Sequence, residues 1–290
     1  MKLSIAAGGM SLLMLALAGC AGTPAAEAPP PALTLQQAIA SPARTAAYRT
    51  RDRYRHPLET LQFFGVQPDM DVVEVWPAPG WYTEILAPYL RDRGRYTAAG
   101  FVVTSVQVPD WRKQDMAEYA AKLAAAPKLY DRVTVTEAGA PDHWEIAPPA
   151  SADRVLTFRN VHNCISGDYA TLMFDAMFNA LKPGGILGVC EHRADPGTTL
   201  EQMKKTGYVT EAYVIQLAEQ AGFKLQAQSE INANPLDHHD HPEGVWTLPP
   251  TLRLGDQDRA KYLAIGESDR MTLRFVKPMK IAPSGRIEGG

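Results

Sequence analysis

Residues 71–84 read Asp-Val-Val-Glu-Val-Trp-Pro-Ala-Pro-Gly-Trp-Tyr-Thr-Glu, and no other stretch narrows the fold of this chain as much. Val72, Val73 and Val75 form a short β-branched run with the character of a buried strand. Pro77, Ala78, Pro79 and Gly80 then force a turn, and Ile85-Leu86-Ala87 opens a helical pattern. A strand, a tight turn and a helix present free backbone N–H groups to a nucleotide-like ligand. Glu74, near the end of the strand, puts a carboxylate within reach of such a ligand. A strand-to-helix connection with no ligand is the alternative reading of the same residues.

The rest of the chain alternates in type. Residues 56–65 read as a short amphipathic helix stopped by Gly65, and the helix over 81–90 carries Pro88, which removes an interior hydrogen bond. Strands are expected over 95–99, 132–136, 153–158, 186–190, 223–231 and 271–276. Helices are expected over 111–125 and 168–181, the latter with Tyr169, Leu172, Met173, Ala176 and Ala180 on one face. Thr210 caps a further helix with the stripe Val214, Leu217, Ala218 and Ala221, which stops at Gly222. Such alternation implies an α/β domain with a parallel-type sheet covered on both faces. Lys and Arg total 29 against 32 Asp and Glu, without a basic block, which argues against a nucleic-acid surface. Arg49, Arg51, Arg53 and Arg55, interleaved with Asp52, read as a solvated helix face.

Residues 1–19 have the form of a targeting segment: Lys2 supplies a positive start, and residues 12–17 an apolar core too short to span a bilayer. Leu17-Ala18-Gly19-Cys20 resembles a bacterial lipobox, which implies cleavage before Cys20 and lipidation of its sulfur. Cleavage without lipidation is the alternative. Ala21 after the cysteine resembles the pattern of lipoproteins sent to the outer membrane, facing the periplasm. Residues 20–34 read as an extended tether; its Ala- and Pro-rich stretch, 21–32, reaches roughly 35 Å at about 3 Å per residue. Residues 35–278 then form one domain of ordinary α/β size, and 279–290 a flexible tail.

Several motifs resemble those of class I S-adenosylmethionine (SAM)-dependent methyltransferases. Glu74 takes the acidic position of that family's first motif and Gly80 its last glycine, while Trp76 and Ala78 replace the first two glycines. Leu181-Lys182-Pro183-Gly184-Gly185-Ile186-Leu187 matches the turn before that family's fifth strand, and Asp153-Arg154-Val155-Leu156 its fourth-strand motif. The Val-Glu-Val-Trp-Pro-x-x-Gly-Trp-Tyr-Thr-Glu-Ile-Leu run is similar to a bacterial group of predicted methyltransferases, as are residues 158–163 and 241–246. The resemblance implies a Rossmann-like, doubly wound, mostly parallel sheet. The end of the second strand, Tyr96-Thr97-Ala98-Ala99-Gly100-Phe101, departs from the family in lacking a carboxylate for the ribose hydroxyls.

The resemblance and the placement at carboxyl strand ends nominate Glu74, Trp76, Pro77, Ala78, Gly80, Trp81, Tyr82, Gly100, Arg159 and Asn160 for cofactor binding. Trp76, Trp81 and Tyr82 offer aromatic faces to a cation, or Trp76 simply fills the space of the absent glycines. His162 and His192 are candidate bases with Glu191 to orient them; a structural hydrogen-bonded cluster is the alternative. Asp237-His238-His239-Asp240-His241 is dense in potential ligands, yet consecutive loop residues cannot converge on one ion, so no metal site is assigned. The connection over 232–269 has the length of a lid, anchored by Trp246-Thr247-Leu248-Pro249-Pro250. Cys164 and Cys190 are expected near each other, close enough to consider a disulfide.

The leading reading is a SAM-dependent methyltransferase of unspecified substrate, held to the envelope membrane through Cys20. A non-catalytic binding or envelope-assembly protein of the same fold is the alternative, and a metal-dependent hydrolase using the histidine loop ranks third.

Overall fold

In the computed structural model, which describes residues 33–104 and 108–279, the valine run is strand β1, Asp71–Val75. The signal segment, Cys20, nearly all of the tether and the tail beyond Met279 lie outside the described residues. Six further strands follow among the described residues. They are β2 (Arg95–Phe101), β3 (Val133–Ala138), β4 (Ala152–Phe158), β5 (Leu181–His192), β6 (Lys224–Ser229) and β7 (Arg270–Val276). The sheet runs β3-β2-β1-β4-β5-β7-β6. β1 to β5 pair in parallel, whereas β7 is antiparallel to both neighbours. The strands at Val155 and Leu187 are adjacent and parallel, in register at those two residues. This is the Rossmann-like α/β sheet that the alternation implies, with an antiparallel β7 added at one side.

Both faces are covered. Val73, Val75, Val155, Leu187 and Val189 pack under the helices Ala170–Ala180 and Glu211–Gln220. Val72, Ala98, Leu156, Phe158 and Cys190 pack under the N-terminal helices and the helix Thr83–Leu90. Glu74 stands in register with Ala98 and Leu156, so it points toward this second face. Local chemistry sets the edges of the elements. Thr210 Oγ1 accepts from the N–H of Tyr213 at 3.2 Å, as an N-cap does. Gly184 has φ 81°, a conformation glycine reaches without strain, and it bends β5 near its start, before the run from Ile186 to Cys190 that pairs continuously with β4.

Three expectations fail here for tertiary reasons. Leu172 lies on the outer side of its helix, 48 % exposed; the buried face is Ala170, Met173, Phe174, Ala176, Met177 and Ala180. Cys164 belongs to the core on one face of the sheet and Cys190 to the core on the other, so the sheet separates them. Both are free, buried thiols. Only half of the arginine run is a solvated face: Arg49 and Arg53 are exposed, but the chain breaks into two short turns of helix, Ala46–Arg49 and Asp52–Arg55, and Arg51, between them, is half-buried and Arg55 buried.

Candidate functional site

β1, β4 and β5 end at a cavity of about 350 Å³. Glu74, Arg159, Asn160, His162 and His192 reach it from the strand ends and the loops just after them. Trp76, Trp81, Tyr82 and Phe158 form its aromatic side. Trp246, Pro249 and Pro250 cover it from the long connection, and Tyr48, Arg51 and Arg55 close the N-terminal side. Phe101, Trp111 and Asp115 bound the end nearest β2. The volume is that of an ordinary small-molecule pocket.

Glu74 is buried and accepts a 2.6 Å hydrogen bond from Tyr96 Oη. Burial raises its carboxyl to about 7, against the opposite pull of the Tyr96 bond and the nearby Arg159. At neutral pH this group is therefore divided between acid and carboxylate, an uncommon state for a glutamate.

The turn after Glu74 supplies fewer backbone donors than a strand–turn–helix motif leads one to expect. Pro77 and Pro79 have no N–H. Trp76 N–H goes to Ala99 O at 2.7 Å and Gly80 N–H to Pro77 O at 2.7 Å. Gly80 has φ 98° and faces the Lys122 and Tyr119 side chains, and a side chain at Gly100 would meet Met116. Neither glycine is on the cavity wall. Trp76 is held at φ 51°, with its indole N–H on Ala138 O at 2.8 Å and its ring 4.9 Å from that of Phe101. It fills the ends of β2 and β3 and also lines the cavity.

His162, Glu191 and His192 come together. Glu191 is fully buried behind the histidines and does not line the cavity. Its carboxylate accepts the Val161 N–H at 2.5 Å, the His192 N–H at 2.8 Å and the His162 ring at Nδ1, 3.0 Å. The three side chains are close enough to hold a metal. With Glu191 already accepting these bonds and His192 Nδ1 paired to Ser268 Oγ at 2.5 Å, the cluster is satisfied as a hydrogen-bonded network. Burial, and then the nearby His162 ring and the guanidiniums of Arg159, Arg270 and Arg55, pushes His192 well below the usual histidine value. His192 is a neutral imidazole at the cavity wall.

The histidine loop has a structural role. Asp237 is buried and accepts from Tyr208 Oη at 2.9 Å, from the Asp269 N–H at 2.8 Å and from the His241 ring at 3.0 Å. His239 bridges Asp195 and Asp269, and His238 is exposed. These contacts tie the connection down beside β7 and set Trp246 over the cavity.

Several residues of the wall carried no site assignment from the sequence. Tyr48, Arg51 and Arg55 share the spacing of one helical face, and Asp115 follows Trp111 by one turn; both spacings were available as signals. Glu267 and Ser268 carry no local signal at all.

The chain superposes on several solved structures. Against the 4+2 cyclase SpnF it has 16 % identity and a TM-score of 0.50, over 81 % of this chain and 82 % of that one. A protein of Galdieria sulphuraria assigned as a sarcosine dimethylglycine methyltransferase gives 13 % identity and 0.50, over 81 % and 87 %. A chain from the complex of the Haloferax volcanii Trm112 methyltransferase activator with its assigned methyltransferase gives 14 % and 0.51, over 82 % and 95 %. No protein-family profile matches the sequence, and no curated protein does. The fold is thus that of class I SAM-dependent methyltransferases. One of its similar structures is a cyclase by name, so the reaction must be argued from the site.

Proposed function

We propose that the protein is a SAM-dependent methyltransferase in which cofactor and acceptor meet in this cavity. The supporting observation is that Glu74 and Arg159, a carboxylate and a guanidinium, share one aromatic-walled cavity at the carboxyl ends of β1 and β4. These residues fit the amino-acid end of SAM: Glu74 suits the ammonium, Arg159 the carboxylate, and Trp76, Trp81 and Tyr82 the sulfonium. Asp115, beside Phe101 and Trp111, offers the acceptor for ribose hydroxyls that β2 lacks. When bound, SAM supplies an electrophilic methyl group for in-line transfer.

The chain's own residues do the remaining work. Trp246, Pro249 and Pro250 keep water from the cavity. Where Nδ1–H of His192 donates to Ser268 Oγ, Nε2 is left as the ring's acceptor for a proton from the acceptor nucleophile. His162, fixed by Glu191, lies 5.2 Å from it ring to ring and holds it in place.

A second reading, a non-catalytic binding or envelope-assembly protein, draws on the poverty of backbone donors in the 76–80 turn. Calorimetry separates the two. SAM should bind, with affinity at least tenfold lower in Glu74→Ala, about 1.5–3 kcal/mol for a charge-assisted hydrogen bond. Changing His238 should leave it alone. A folded protein that gives no heat with millimolar SAM belongs to the second reading.

We also propose that Cys20 is lipidated and anchors the protein to the envelope membrane, with Leu17-Ala18-Gly19-Cys20 as support. No helix among the described residues is long and apolar enough to cross a membrane. Cys20→Ser should move the protein to the soluble fraction; unchanged membrane association rejects the anchor.

A further inference from the structure

Glu267 is the centre of a guanidinium cluster beside the cavity. Arg51 Nε donates to it at 2.6 Å and Arg55 Nε at 3.0 Å, while Arg270 Nη1 stands 3.3 Å away. Arg159 adds a fourth guanidinium to the same field. Arg159 makes no side-chain hydrogen bond or ion pair with any described residue. Arg51 Nη2 is buried without a partner. Four buried or half-buried cations therefore share one carboxylate, an arrangement that folding alone disfavours. Arg159 is also held at φ 59°, a strained conformation for a residue with a side chain, of the kind that persists where a function needs it.

Arg51, Arg55 and Arg159 all line the cavity, with Trp81 lying 4.8 Å under the Arg55 guanidinium. Planar guanidiniums match carboxylate and phosphate oxygens in pairs. SAM does not balance the cluster, because sulfonium and ammonium together outweigh its one carboxylate. A second, anionic molecule does.

We propose that the acceptor substrate is a small oxyanion, a carboxylate or a phosphate monoester, clamped by Arg51 and Arg55 with its nucleophile toward His192. This rests on the methyltransferase reading for the word acceptor, while the oxyanion site itself stands without it.

The test uses the full chain, with inorganic phosphate and succinate as probes, at an ionic strength held constant with sodium chloride. Tryptophan fluorescence reports the cavity through Trp81. Saturable binding of at least one anion is expected. Arg51→Gln should weaken it about tenfold to a hundredfold, and the surface variant Arg91→Gln should not. Arg51 is 21 % exposed at its side chain, which favours a folded variant; Arg51→Lys, which keeps the charge and loses the planar fork, should weaken anion binding in the same direction if Arg51→Gln does not fold. A folded protein with no saturable response to either anion, or one unaltered in Arg51→Gln, overturns the proposal. Parallel SAM calorimetry keeps the two readings apart. SAM binding without anion binding overturns the oxyanion and retains the methyltransferase; anion binding without SAM supports the site and rejects the methyltransferase.

Discussion

Replacing Glu267 by Gln removes the one carboxylate among four guanidiniums while keeping the shape of the side chain. Glu267 is 4 % exposed, and despite the cost of burial Arg55, Arg270, Arg51 and Arg159 hold its carboxyl at about 2 instead of 4.5. Arg55 is also pushed below its ordinary value, by burial and then by Arg159, which disfavours its charge, so the gain of the pair resides on Glu267. A carboxyl lowered from 4.5 to about 2 contributes about 3 kcal/mol to folding at neutral pH. That contribution is present above 4.5 and disappears as pH falls toward about 2. Leaving buried guanidiniums uncompensated puts the total cost at about 3–5 kcal/mol. For a domain of this size the melting temperature should fall by roughly 10 °C. Urea denaturation in phosphate-free buffer, followed by tryptophan fluorescence, measures the difference at neutral pH and again near pH 3. The gap should narrow in acid, as protonation takes from the wild type what the variant already lacks. A loss under about 1 kcal/mol at neutral pH, or a gap that does not change with pH, refutes the placement of Glu267 at the heart of the cluster.

Glu74 has the opposite sign, since its folded value of about 7 lies above 4.5: the stability it contributes is complete below 4.5 and lost as pH rises through 7. Glu74→Gln, which can still accept from Tyr96, should therefore stabilise the ligand-free protein by up to about 3 kcal/mol near pH 8 and do little near pH 4, as thermal melts will show. His192 should stay neutral through the ordinary histidine range around 6.5, seen as unmoving ring resonances in nitrogen-detected NMR; a titration at or above that value contradicts the burial argument. Trp76→Gly should cost about 3 kcal/mol in denaturation experiments, the lost packing of a large buried ring outweighing about 1 kcal/mol of relief at its positive φ. A neutral or stabilising effect shows that the indole is not a core element.

The order and type of the elements were legible in the sequence because they follow from local chemistry. The valines of β1, the Thr210 cap and the Gly184 turn act within a few residues of themselves. The approach of Glu74, His162 and His192 to one end of the sheet followed as well, since parallel strands deliver their carboxyl ends together. Other properties depend on pairings that no local pattern records. Arg51 and Arg55 meet Glu267 across more than two hundred residues, and only that contact turns an apparently solvated basic run into the wall of a cavity. Cys164 and Cys190 looked like neighbours by position, yet the face of a sheet to which a side chain belongs is settled by strand register and by the helix packed above it. The 76–80 turn kept its place but lost most of its donors, because Pro77 and Pro79 have no N–H and the Ala99 and Pro77 carbonyls took those of Trp76 and Gly80. Sequence periodicity set where each element lies; the charge and hydrogen-bonding state of the site came from the contacts that only the folded chain creates.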